Sequence, residues 1–237
     1  MAGSVGNIET DIIKSGLVFN MDAANRASYP KIGTTIMDTI GSINGTINGA
    51  SFETINNGVF DFDGSDDYID CNTDLESWVE GANKSFFAWI KNDGNTSTAR
   101  IFGAAYQDSG DKTGFGLGIK KTTNNKPFYF FRTSAGSSLY EEFGDVLNTT
   151  DWYHFAFSVD GTTNEAYIYQ NGVLKVTVSS VGNPSQTSVQ TAKIGKHWVS
   201  TIDQYFNGNV ANMHLYNRAL SSTEVLHNYN ALKSRFE

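Results

Sequence analysis

Cysteine occurs once in the 237 residues, as Cys71, so no disulfide can close within the chain. The fold must hold by packing, and a lone thiol at the end of a strand reads as a small core hydrophobe. Proline occurs only three times while glycine occurs 23 times, which excludes a proline-rich linker and suits short strands joined by glycine and asparagine turns. No apolar run approaches the roughly 18 residues that would span a bilayer, and Met1 to Thr10 has neither the basic start nor the apolar core of a secretion signal. A product made in a cytoplasm, without membrane insertion, is expected. Positive charge is also scarce. With a net charge of −8 and no Lys/Arg cluster, the surface opposes phosphate tracking, and nucleic acid is excluded as a partner.

Catalytic signatures are missing as well. Retaining glycosidases place an acid and a nucleophile about 5 to 5.5 Å apart, as same-face positions of one strand do. The nearest echo of Glu-x-Asp-x-x-Glu is Glu9-Thr10-Asp11, which lacks the third acid, and Glu141-Glu142 with Asp145 reads as a solvated loop. No Ser or Cys elbow accompanies His154, which reads as structural. His214 alternates with Met213 and Leu215 and is placed on the solvent face of its strand, and His227 falls away from the apolar stripe of its helix. No enzyme is expected.

What is abundant is aromatic residues, 13% of the chain, set in alternating patterns. Phe60 and Phe62 alternate with Asp61 and Asp63 before Gly64, and Tyr167 and Tyr169 alternate with Ala166 and Ile168 before Asn171-Gly172. That period belongs to half-buried strands, and Asn-Gly to hairpin turns needing positive φ. Strands are predicted at 17–22, 58–62, 68–71, 85–91, 100–104, 115–120, 128–133, 153–159, 165–170, 173–178, 193–195 and 210–216. Ile36 to Ala50, with Asn44-Gly45 and Asn48-Gly49, is read as loop and hairpin. The spacing predicts an all-β fold of two packed antiparallel sheets in one domain spanning 16–237, preceded by an arm at 1–15. The period then changes to that of a helix over 221–236. Ser221 and Glu224 form a capping box, Leu220 and Val225 a staple, and Val225, Tyr229, Leu232 and Phe236 one apolar stripe that packs on the sandwich or on the N-terminal strand.

FDFDGSDDYID at 60–70, WYHFAFSVDG with EAYIYQNGVLKV, and FNGNVANMHLYNRALSSTEV, in this order and at these distances, resemble the laminin G-like branch of the concanavalin A-like lectin/glucanase jelly rolls, a fold that usually binds something. GLVFNMDAANRASYP at 16–30 and the ending LYNRALSSTEVLHNYNALKSRF are similar to laminin G-like domains of virion proteins in tailed phages. The resemblance implies a non-enzymatic decoration protein of a capsid, neck or tail, located in the virion and binding bacterial surface polysaccharide. Its other partners would be virion proteins, docked through residues 1–15, or further copies of itself. A purely architectural cement role is the alternative, and a depolymerase the third reading.

If the fold is right, Tyr106, Asp108, Asp111, His197, Trp198, Asp203 and Tyr205 come from two loops on one rim, combining flat rings with hydrogen-bonding groups as sugar sites do. The bland reading tucks Trp198 and Tyr205 under their own loop. No cofactor is required. Ca²⁺ is the one metal in view, because Asp63, Asp66 and Asp67 cluster on a turn, although aspartate and glycine are also what tight turns prefer. Related pentraxins hold two calcium ions with an acidic run after the Ile-Gly step; Lys196-His197-Trp198-Val199 lacks those acids, which argues against such a site.

Overall fold

The structure is a computed structural model that describes residues 11–73, 75–108, 111–120, 124–132, 138–182, 191–197 and 202–237; of residues 76, 105–108, 111–113, 132 and 138 the backbone alone is described. Its strands are β1 (Leu17–Asp22), β2 (Thr35–Met37), β3 (Asn44–Asn48), β4 (Ser51–Glu53), β5 (Val59–Asp63), β6 (Tyr68–Asp70), β7 (Lys84–Asn92), β8 (Ala99–Asp108), β9 (Asp111–Lys120), β10 (Lys126–Arg132), β11 (Ser138–Glu142), β12 (Trp152–Asp160), β13 (Glu165–Gln170), β14 (Val173–Ser179), β15 (Lys193–Ile194) and β16 (Asn207–Tyr216). Two helices accompany them, α1 (Glu76–Val79) and α2 (Ser222–Lys233). No helix among the described residues is long and apolar enough to cross a membrane.

Two eight-stranded sheets pack face to face, as the alternation predicts. One has the order β14-β13-β12-β7-β16-β5-β4, and the other β11-β10-β9-β8-β15-β6-β3-β2. In the first sheet β16 has β7 along one side and two short neighbours along the other, β5 against residues 207–210 and β1 against 212–216. Its bulge between Val210 and Asn212 marks the change of neighbour. Between the layers lie Phe62, Phe86, Phe102, Phe115, Phe155 and Phe157, all fully buried, with Cys71 among them as expected. Each such ring contributes about 1.5 to 3 kcal/mol through burial.

The turn at Asn171-Gly172 has φ of 53° and 75°, the geometry that joins β13 to β14 through a two-residue hairpin. Asn44-Gly45 behaves differently from the expectation. It lies inside β3, paired with Met37 and Ile36, and Gly45 is needed there because an added Cβ would sit 2.7 Å from Ile69 and 2.9 Å from Ile36. Residues 36–50 thus hold the expected hairpin, formed by β2 and β3, but with Asn44-Gly45 in a strand rather than in its turn. Glu141 and Glu142 are also corrected, from a solvated loop to the end of β11, where Glu142 pairs with Lys120 at 3.2 Å. Asp145 remains exposed and meets Lys175 at 2.7 Å.

Helix α2 covers the outer face of the first sheet. Its capping box is complete, since Ser221 Oγ accepts from the Glu224 amide and the Glu224 carboxylate accepts from the Ser221 amide. The ion pair with Arg218, helped by the Ser221 bonds, holds the Glu224 carboxyl down at about 2 against the cost of partial burial. Val225 is fully buried with Leu220, while Tyr229 and Phe236 stack on Trp89 with ring centroids 5.5 and 4.3 Å away. Past the helix, Arg235 binds Asp22 at 2.8 and 3.0 Å and donates to the carbonyls of Asn56 and Gly58. Residues 1–10 of the expected arm lie outside the described residues; Ile13 is tied to Asn228 and to the Tyr216 hydroxyl, each at 2.8 Å.

This helix also overturns the placement of His214. The residue does alternate with core residues, but the face it points to is the one α2 covers, and it is only 3% exposed. His154 lies under the same helix, ringed by Phe87, Trp89 and Tyr229 at 5.2 to 5.6 Å. Burial pushes the two imidazoles down, His154 to about 3 and His214 to about 4.

Candidate functional site

Strand register divides the seven rim residues expected from sequence. Lys193 and Ile194 pair with Gly103 and Phe102 on one side and with Asp70 and Ile69 on the other. Continuing antiparallel, Lys196 falls level with the start of β8 and with the turn between β5 and β6. Tyr106 and Asp108 run the opposite way along β8, to the far tip where Asp108 faces Asp111. The eight residue steps of strand from Arg100 to Asp108 span about 26 Å. Tyr106, Asp108 and Asp111 are therefore strand residues at the other end of the sheet, and their side chains lie outside the description. The correction has a simple cause: the polar run 105–114 reads as loop, yet the β8–β9 ladder continues through it.

His197, Asp203 and Tyr205 stay together. The His197 amide donates to the Gln204 carbonyl at 3.2 Å and Lys196 bridges to Tyr205, and Asp203 is exposed; Trp198 lies outside the described residues. Gly195 precedes this bridge with φ of 82°, and an added Cβ there would stand 2.5 Å from the Phe62 ring.

Three residues that were not expected at this rim complete the face. Tyr68 and Asp70 flank buried Ile69 on β6 and so point outward, beside Lys193 of β15. Lys196 Nζ lies between two rings, 4.8 Å from the centroid of Tyr68 and 4.7 Å from that of Tyr205. Lys196 is only 8% exposed, and among the described residues no carboxylate pairs with it. Lys193 differs, because it is bonded to Asp70 and to Thr191. Burial opposes ionisation of Asp70, but the bonds from Lys193, the Asn72 amide and Thr191 outweigh it and hold the carboxyl below its usual value. The alternation of Tyr68 and Asp70 was visible in the sequence; their meeting with residues 193–205 required the sheet order.

The acidic turn sits at the same end. Carboxylate oxygens of Asp63, Asp66 and Asp67 lie within 4.8 Å of one another, close enough for one cation. Two of the three also shape the turn. Asp63 accepts from the Ser65 amide at 2.8 Å, and Asp67 reaches back to the Asp63 amide at 2.9 Å. Burial first, and then the charges of Asp63, Asp66 and Asp61, push the Asp67 carboxyl up against that backbone bond. The donor set is all hard oxygen, which fits Ca²⁺ and no soft metal.

A family model described as the concanavalin A-like lectin/glucanases superfamily matches residues 63–226. No curated protein sequence matches the chain. Among solved structures, Trypanosoma rangeli sialidase in complex with sialic acid superposes with a TM-score of 0.70 at 15% identity, covering 95% of this chain and 34% of the sialidase. The chain thus spans about a third of the length of the sialidases it matches. Domain 4 of AbnA, a GH43 extracellular arabinanase from Geobacillus stearothermophilus, in complex with arabinotriose, gives 0.66 at 19% identity, over 91% of this chain and 98% of that domain. The receptor binding domain of botulinum neurotoxin C/D mosaic serotype gives 0.65 at 15% identity, over 90% of this chain and 51% of the other. At such identities the likeness is one of fold.

Proposed function

The chain belongs to the concanavalin A-like lectin/glucanases superfamily, and from that premise we propose that it is a non-enzymatic, laminin G-like module that binds glycans through the face around Lys196. The observation that carries this is Lys196 held between Tyr68 and Tyr205, with the Asp70–Lys193 pair beside it. Flat rings accept the C–H faces of a sugar, and the charged groups at their edges bind its hydroxyls. The presence of an arabinanase domain solved with arabinotriose among the fold neighbours supports a glycan as ligand. The phrases at 16–30 and 215–236 support display on a phage particle, with bacterial surface polysaccharide as the ligand and residues 1–15 as the tether.

An architectural role is the second reading, favoured by one observation. Val173 and Leu174 at the start of edge strand β14 and Leu226 on α2 are about half exposed, and Leu226 approaches Gly172 of the same hairpin, so an apolar patch is available for a protein neighbour. Binding to immobilised polysaccharides of a bacterial surface separates the two. Tyr205→Ala and Lys196→Ala each weaken binding about tenfold while leaving the melting temperature within a few degrees of the parent. Equal binding by parent and both variants refutes the glycan reading at this face.

A further inference from the structure

We propose that the sugar bound at the face around Lys196 is a singly charged anionic pyranose, with its acid group seated on the Lys196 ammonium. The inference rests on the reading of this face as a glycan site and adds the class of ligand to it. Lys196 is an unmatched cation. Although the residue is only 8% exposed, no carboxylate or carbonyl among the described residues meets Nζ, whose sole neighbours of note are the Tyr68 and Tyr205 rings at 4.8 and 4.7 Å. Nor is Nζ among the polar atoms sealed from solvent, so it stays open to a ligand.

Withdrawing an ammonium from water is costly unless an anion accompanies it, and two ring faces recover only part of that cost. Folding has thus already stripped much of the water from Lys196 without supplying a counter-charge. An incoming acid group gains a charge-assisted hydrogen bond in partly dry surroundings. The nearby carboxylates do not compete for this place. Asp70 is taken by Lys193 and the Asn72 amide, and Asp67 by the Asp63 amide.

The surroundings also limit how much charge the ligand can carry. Lys193 is cancelled by Asp70, which leaves the face one free positive charge on a chain of net charge −8. Asp63, Asp66 and Asp67 lie on the turn just before Tyr68, and Asp203 is exposed just before Tyr205. A densely charged polymer would meet that repulsion, whereas a sugar with one acid group gains Lys196 and keeps its remaining groups neutral. Both tyrosines are half-buried and flank Nζ, so an acid group on Nζ brings its own sugar ring against one of them. A small carboxylate without a sugar ring would gain the charge and lose the rings.

Methyl glucuronoside, methyl galacturonoside and a sulfated methyl glucoside are the charged probes, with methyl glucoside, methyl galactoside and acetate as controls. The readout is the Tyr68 and Tyr205 amide resonances of the ¹⁵N-labelled full chain. At least one charged sugar is expected to bind about tenfold more tightly than its neutral counterpart and than acetate, the gain of one hydrogen bond to a charged group. Preference for the uronosides assigns a carboxylate, and preference for the sulfated sugar a sulfate ester. Lys196→Gln, with its melting temperature retained, is expected to bring the charged sugar down to the affinity of the neutral one, while Lys196→Arg keeps the preference. Charged and neutral sugars that bind alike, acetate that binds as well as the sugars, or a preference that survives Lys196→Gln overturns the proposal. In those cases the glycan reading still stands if Tyr205→Ala weakens every sugar. Tyr68 and Tyr205 signals that no sugar moves at tens of millimolar overturn both.

Discussion

Acidification from about pH 7.5 to about pH 5 is expected to destabilise the fold through two histidines that α2 covers. In the folded chain burial keeps both imidazoles neutral, with pKa values of about 3 for His154 and about 4 for His214, against 6.5 when exposed. Asp22 works to raise His214 and Arg235 to lower it, but burial dominates. The unfolded chain takes up a proton at each site as pH falls below 6.5, while the folded chain does not. Stability from these groups is therefore complete above pH 6.5 and is lost as pH falls towards the folded values. At about pH 5 each site contributes a loss of about 2 kcal/mol, from roughly 1.4 kcal/mol per pH unit.

Together they account for about 4 kcal/mol, a large share of the 5 to 15 kcal/mol typical of a domain. Urea titrations at several pH values between those limits measure it. Glu224, with its folded pKa of about 2, and Asp70, also held low, add their losses only as the pH falls through the ordinary carboxylate range, which keeps the window above it for the histidines. His154→Phe, which places a phenyl ring among those of Phe87, Trp89 and Tyr229, is expected to halve the loss to about 2 kcal/mol. An identical loss in parent and variant would refute the reasoning, because it would place the titrating groups elsewhere.

Two further outcomes follow from charges. Arg235→Ala removes the partner of Asp22 and the donor to two carbonyls, and is expected to cost about 3 kcal/mol and to speed amide exchange along α2; unchanged exchange would show that the helix docks without it. Asp63, Asp66 and Asp67 have no ion-pair partner among the described residues, so CaCl₂ is expected to raise stability, by about 2.7 kcal/mol at a hundredfold excess over Kd, and Asp66→Asn to abolish that increment. A melting temperature indifferent to both calcium and chelator removes the cation.

The long strands were legible because their apolar alternation is written in Phe, Tyr, Ile and Val, and α2 because Ser221 and Glu224 announce its start. Short β4 and β11 were not, and the hairpin of β2 and β3 was expected without its bounds. β11 ends on Glu141-Glu142, an adjacent acidic pair that reads as solvated loop, and in β3 the Asn44-Gly45 pair mimics a turn although close packing by Ile36 and Ile69 is what demands the glycine. His214 illustrates a different limit, since alternation assigns a face but not what covers it. The site was half legible for the same reason. Tyr205 and His197 are neighbours in sequence, whereas Tyr68 reaches them only because β15 inserts between β6 and β8.

That insertion also decides how the two faces relate. Trp152, Lys91, Asn209 and Asp61 approach the same end of the sandwich that carries Lys196 and Tyr205, because β5 runs from Asp61 to Asp63 and turns through Asp66 and Asp67 into Tyr68 on the other layer. The layers stand about 10 Å apart. One turn of four residues, 64–67, thus connects the outer face of the helix-covered sheet to the two tyrosine rings on the opposite one. The acidic turn lies at this crossing, so it places the negative charge of Asp63, Asp66 and Asp67 at the edge shared by the two layers, where a bound cation would cancel part of it.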